Sequence, residues 1–87
     1  MYAIVYEKKA VKDIPKLKAC QLDAKARALI DLIRNDPYQN PPPYEKLVGD
    51  LKGVYSRRIN IKHRLVYTVV EAEKTIKILS MWSHYEF

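Results

Sequence analysis

The chain has one cysteine, Cys20, and two histidines among its 87 residues. A lone thiol forms no internal disulfide, and no histidine or cysteine spacing matches a zinc site, so the fold is expected to hold without staple, metal or cofactor. Cys20 reads as a small residue in a helix connection. No apolar run approaches the roughly 20 residues that cross a bilayer. The opening segment MYAIVY is too short for a signal-peptide core, and no small-residue cleavage site follows it. Cytoplasmic localisation without membrane association is therefore expected. Repeats and low-complexity tracts are missing beyond one proline cluster. The length leaves room for a single domain, residues 1–87, with a modest core.

Acidic residues are also in short supply. Sixteen Lys and Arg against ten Asp and Glu give a net charge of +6 and a pI near 9.5, with 48% hydrophobic and 30% charged residues. That is the composition of an ordinary globular chain whose charge favours a polyanionic partner such as nucleic acid. Counted by region, the excess is +3 over residues 1–44, +4 over 45–70 and −1 over 71–87. It is densest where the sequence reads LKGVYSRRINIKHRLVY, residues 51–67.

That stretch predicts a basic β-hairpin. Residues 54–61 and 64–70 are rich in β-branched and aromatic side chains, and the polar break at 60–63 turns the chain. With a three-residue turn, Arg58 lies directly opposite Arg64, where like charges repel unless an anion sits between them. Arg57 and Arg58 point to opposite faces of a strand, so only one of them reaches the same phosphate as Arg64.

Elsewhere, residues 2–6 read as a strand, apolar on both faces and hence interior. Val11, Ile14 and Leu17 recur at helical spacing over 8–18, with Pro15 expected to shorten or kink that helix. Residues 21–34 form a stronger helix, with Leu22, Ala26, Leu29 and Ile33 along one face and Ile30 widening it; Asn35, Asp36 and Pro37 stop it. The segment PYQNPPPY, 37–44, reads as a stiff extended connection. It delivers Glu45 in a loop before Leu47. After a turn at 71–74, residues 75–82 read as a last strand. The order predicts an α+β fold in which a strand and two helices precede a run of strands, β-α-α-β-β-β, with the helices packed on a mainly antiparallel sheet. Tyr55, Tyr67 and Trp82 read first as core aromatics, with a base-stacking surface as the alternative. The lysines at 8, 9, 12, 16 and 18 read as a solvated helix face or an RNA-docking one. His63 reads as a turn or sheet-edge residue.

The element order, together with YEKL at 44–47, YSRRI at 55–59, HRLVY at 63–67 and a late His-Tyr pair at 84 and 85, resembles the YoeB/Txe-type toxins of the RelE/ParE superfamily. The resemblance spans nearly the whole chain. It implies a RelE-like fold and a bacterial type II toxin that enters the ribosomal A site, cuts messenger RNA and is held inactive by a cognate antitoxin. Its partners would be the 70S ribosome with A-site mRNA, the antitoxin and a second copy in a homodimer. Carried over residue by residue, the general base falls on Glu45, the phosphate clamps on Arg58 and Arg64, and the terminal pair on His84, an acid, and Tyr85. Arg57, Lys62 and Lys52 are expected to contact RNA or the ribosome. Glu86 and Phe87 extend beyond the tyrosine that usually closes the family's chains, and the turn before the last strand is longer. A superfamily member that acts by binding, as a ribosome blocker, gyrase inhibitor or catalytically silent relative, stays open as the alternative.

Overall fold

The computed structural model describes residues 1–47 and 53–83. In chain order they form β1 (Ala3–Tyr6), α1 (Lys8–Ala19), α2 (Asp23–Asn35), β2 (Tyr44–Lys46), β3 (Val54–Arg58), β4 (Arg64–Val70), a single 3-10 turn (Glu71–Glu73) and β5 (Thr75–Ser83). The strands make one five-stranded sheet in the order β1-β5-β4-β3-β2. Only β1 and β5 are parallel; the other three pairings are antiparallel. The α+β architecture matches expectation, with one strand more than the sequence indicated. Residues 44–46 pair with β3, so Glu45 lies on an edge strand and not in a loop.

A second difference concerns β1. Among the described residues it pairs with β5 alone and ends the sheet, with Val5 and Tyr6 exposed. An apolar run on both faces resembles a buried strand whether or not a neighbour covers its second edge, which is why the pattern misled. The third difference is α1, which runs unbroken through Pro15. Proline removes its own N–H and crowds the carbonyl four residues back, and that carbonyl belongs to Val11, on the exposed side of the helix where it can tilt outward to water. The buried face of α1 is Ala10, Asp13 and Leu17, not Val11.

Alternation decides what each strand buries. Leu65 and Tyr67 of β4 and Ile76 and Ile78 of β5 face the helices, meeting Ala10 and Leu17 of α1 and Ala26, Ile30 and Ile33 of α2. Met81 joins the same core although it is three residues beyond Ile78. Register shifts between β4 and β5 supply the change of side: Tyr67 pairs with Ile78, Val66 with Ser80 and Arg64 with Ser83. Among the described residues no helix is long and apolar enough to cross a membrane.

Asp13 sits in this core at 0% exposure. Its carboxylate accepts the Met81 N–H at 3.0 Å and the Lys9 ammonium at 2.9 and 3.0 Å, with Lys16 at 3.8 Å. A buried carboxylate is tolerable only with such partners. Asp13 thus ties the end of β5 to α1. At the other end of the sheet, Glu71 accepts from Tyr38 at 2.6 Å and from Tyr2 at 3.0 and 3.1 Å. This joins the chain start, the proline-rich connection and the β4–β5 turn. The Tyr38 and Tyr2 hydroxyls and Lys74 hold the Glu71 carboxyl below its ordinary value, with desolvation opposing them second in size after Tyr38. Burial and Glu71 itself push the Tyr38 hydroxyl up.

Two outcomes are expected. Replacing Asp13 by Ala strands the Met81 N–H and should destabilise the domain by about 3 kcal/mol, read as a lower urea midpoint at unchanged slope. For Glu71, a depressed folded pKa means its contribution is complete above the unfolded value of about 4.3 and is lost as pH falls through the folded value. Urea midpoints measured above and below about pH 4 should therefore converge between wild type and Glu71→Gln as the solution is acidified. A constant gap would show that the carboxylate charge is irrelevant.

Candidate active site

Strand register assembles the site. Glu45 of β2 pairs with Ser56 of β3, which pairs in turn with Val66 of β4, while Arg58 pairs with Arg64. Paired residues share a face, and residues two apart on a strand share it too. Glu45, Ser56, Arg58 and Arg64 consequently lie together on the side away from the helices, lining a cleft of about 200 Å³ with Pro43 and Tyr44. Glu45 and Arg58 are exposed, Arg64 is half-buried and Ser56 is only 2% exposed. Among the described residues no ion pair joins Glu45 to either arginine. The connection that holds Arg58 against Arg64 is fixed locally: the Asn60 side-chain oxygen accepts the N–H groups of Lys62 and His63 at 2.9 and 2.7 Å, and the Ile59 N–H bonds the His63 carbonyl at 2.9 Å.

Arg57 faces the other way, and its expected contact with RNA is corrected. The side chain is 1% exposed. Its guanidinium donates to the Tyr67 hydroxyl at 3.0 Å and to the carbonyls of Pro42, Pro37 and Gln39 at 2.7, 3.1 and 2.8 Å, and it lies 4.8 Å over the Tyr44 ring. Tyr67 passes the network on, donating to the Pro37 carbonyl at 2.8 Å. Burial pushes the Tyr67 hydroxyl up, against the opposing pull of Arg57. Prolines give a connection carbonyls without the matching N–H donors, and Arg57 supplies donors in a planar fork. Because Tyr44 is its cross-strand partner, the same side chain positions β2 and so Glu45.

Lys62 is exposed at the tip of the hairpin, outside the cleft. His84, Tyr85 and Lys52 lie outside the described residues. His63 is buried and stacked on Trp82, with ring centroids 3.7 Å apart. Tyr55 stacks on Tyr67 at 5.7 Å, with Tyr38 and Tyr44 edge-on to it, so these rings pack against one another and not as an open platform. Sequence reasoning missed Ser56 as a cleft residue. The signal available was its even spacing from Arg58 along one strand.

A larger cavity of about 250 Å³ lies on the helical side, where Ile14, Leu17, Ile30 and Met81 contribute apolar wall. Its rim mixes Lys18, Arg27 and Arg34 with Asp23 and Asp31, which gives it no consistent charge preference. The cleft with a carboxylate facing two arginines is the better candidate for acid-base chemistry on an anion.

The two helices on one face of a five-stranded mixed sheet define a small toxin fold of the RelE/YoeB-like kind. A YoeB/ParE toxin from Agrobacterium tumefaciens superposes with a TM-score of 0.86 at 26% identity, over 95% of this chain and 99% of that one. The toxin in a heterotetrameric YoeB-YefM toxin-antitoxin complex from Staphylococcus aureus superposes at 0.80 with 34% identity, over 98% and 99%. Residues 6–85 match the model of the YoeB-like toxin of bacterial type II toxin-antitoxin systems, and the chain belongs to that family. Toxin YoeB of a Synechocystis strain is 43% identical over 58 residues, 67% of this chain and 65% of the relative. The match thus spans just under two thirds of that relative's length.

Replacing Arg57 with Ala or Lys should lower stability by about 3–5 kcal/mol, since either change removes the buried fork that joins the Tyr67 hydroxyl to the Pro37, Gln39 and Pro42 carbonyls. The check is chemical unfolding, with Arg57→Lys expected to recover little of the loss.

Proposed function

We propose that this toxin is a ribosome-dependent messenger RNA endoribonuclease, acting in the cytoplasm and inhibited by a cognate antitoxin. The observation that carries the reading is the meeting of Glu45, Arg58 and Arg64 in one cleft, from three different strands. RNA brings its own nucleophile, the 2′-hydroxyl. In the proposed reaction Glu45 takes that hydroxyl's proton, the O2′–P bond forms as the P–O5′ bond breaks, and the leaving O5′ receives a proton from His84. Arg58 and Arg64 stabilise the charge that develops on the phosphate between them. The products are a 2′,3′-cyclic phosphate and a 5′-hydroxyl. With an internal nucleophile, a base, an acid and two cations, no step calls for a metal.

His84 and Tyr85 enter on the sequence match, three and four residues after the anchored Met81. Tyr85 is assigned to stacking on a base or orienting the phosphate. The cleft admits a phosphate and its sugar but encloses no RNA chain, and the radius of gyration is only 12.0 Å. Positioning of the substrate is therefore assigned to the ribosome, with Lys62 and Lys52 as candidate phosphate contacts. The antitoxin partnership is supported by the Staphylococcus aureus relative, which was solved bound to one.

The test is incubation with programmed ribosomes, naked RNA as control, and end-group analysis of the products. Glu45→Gln is expected to slow cleavage by about 10²- to 10⁴-fold and Arg64→Ala by about 10²- to 10³-fold. Stalled translation without new 5′-hydroxyl ends would instead identify a toxin that acts by binding, and Glu45→Gln cutting at the wild-type rate would remove Glu45 as the base.

A further inference from the structure

Ser56 lies on the cleft floor, the cross-strand partner of Glu45 and two residues before Arg58. It is 2% exposed, and its hydroxyl oxygen has no hydrogen-bond partner among the described residues. Buried polar groups are satisfied in the great majority of cases, so an orphan hydroxyl needs a reason. Local packing supplies none. Its other cross-strand partner, Val66, is apolar and buried, and Ala would fit the same space without leaving a donor unmet. A serine at this point costs stability for as long as the cleft holds nothing that can accept its proton.

We infer that Ser56 is a third, uncharged donor to the bound phosphate, giving its hydroxyl hydrogen to the non-bridging oxygen that reaches the cleft floor while Arg58 and Arg64 engage the other. This assignment rests on the reading of the cleft as a phosphodiester site and adds a residue to it. Two features of the geometry favour it. A hydroxyl proton rotates to meet its acceptor with no backbone movement. The floor is shielded from water, where a neutral donor contributes more to developing negative charge than it would at the exposed mouth. Charge at the mouth and a dipole at the floor also divide the work sensibly, since a third cation beside Arg58 and Arg64 would add repulsion in the empty cleft.

The experiment uses wild type, Ser56→Ala and Arg58→Ala in three measurements: cleavage on programmed ribosomes, thermal unfolding, and thermal unfolding with inorganic phosphate as the probe. Ser56→Ala is expected to cleave about 10- to 100-fold more slowly than wild type. It should melt at the same temperature or higher, because an unmet buried donor has been removed. It should also gain less thermal stabilisation from phosphate than wild type does. A purely structural serine predicts the reverse: a lower melting temperature, with activity and phosphate response unchanged once the folded fraction is allowed for. That outcome overturns the assignment, as does a variant that matches wild type in cleavage and in phosphate response. Should wild type fail to cleave RNA at all while its response to phosphate still exceeds that of Ser56→Ala, Ser56 stands as an anion donor and the nuclease reading alone falls.

Discussion

The structure depends on one buried cation. Arg57 carries its charge at 1% exposure, with the Tyr67 hydroxyl, three main-chain carbonyls and the face of Tyr44 as its partners. Desolvating a guanidinium costs several kcal/mol, and the oxygens around it must offset that. Their arrangement explains the residue type. Three carbonyls and a hydroxyl spread around a plane match the fork of an arginine, whereas a lysine ammonium would reach fewer of them. The proline-rich connection gains in turn. Arg57 gathers the carbonyls of Pro37, Gln39 and Pro42 at a single point, with the Tyr67 hydroxyl sharing that of Pro37. The connection is thereby fixed at the entry to β2, which sets the position of Glu45.

Strand alternation lets two adjacent arginines do opposite jobs. Arg57 turns toward the helices and is used up in holding the connection, while Arg58 turns away and meets Arg64 in the cleft. A shift of one residue in the β3 register would exchange them, burying Arg58 and turning Arg57 into the cleft. The network around Arg57 is therefore also a register lock. Asp13 has a similar part at the far side of the sheet, where its carboxylate takes the Met81 N–H within the register shifts between β4 and β5. Each lock is a buried charge met by main-chain groups, and a slipped register would leave that charge buried without them.

Much of this was legible in the sequence. Alternating β-branched residues and the polar break gave the hairpin, and the pairing of Arg58 with Arg64 followed from a three-residue turn. Helical periodicity gave α2. The misses have physical causes. Arg57 and Arg58 are chemically identical, so parity separates them without saying which face is buried; the clue was the run of prolines, whose carbonyls need donors from elsewhere. Tyr44–Lys46 is too short and too charged to show a strand period, and it pairs only because the Arg57 network delivers it to the sheet edge. Asp13 occupies a core position of α1 that a hydrophobic pattern skips, although lysines four before and three after it marked a carboxylate with partners. Val5 and Tyr6 read as interior because composition cannot tell an edge from a middle.

The cleft collects the unfavourable contacts that the rest of the sheet avoids. Two arginines face each other across β3 and β4, and among the described residues a buried hydroxyl has no hydrogen-bond partner and the carboxylate opposite it has no ion pair. The arginines cannot relax by splaying the strands, because Asn60 and the bond from Ile59 to His63 hold the connection between them closed. No ion pair among the described residues relieves them, whereas a single anion between the arginines would offset their repulsion and accept the hydroxyl hydrogen at once. The same argument applies to any negatively charged group of the right size. A phosphodiester and a side-chain carboxylate of an inhibitory peptide would be held by the same donors, so a peptide that placed such a carboxylate there would block the cleft by competition, without any change in the fold around it.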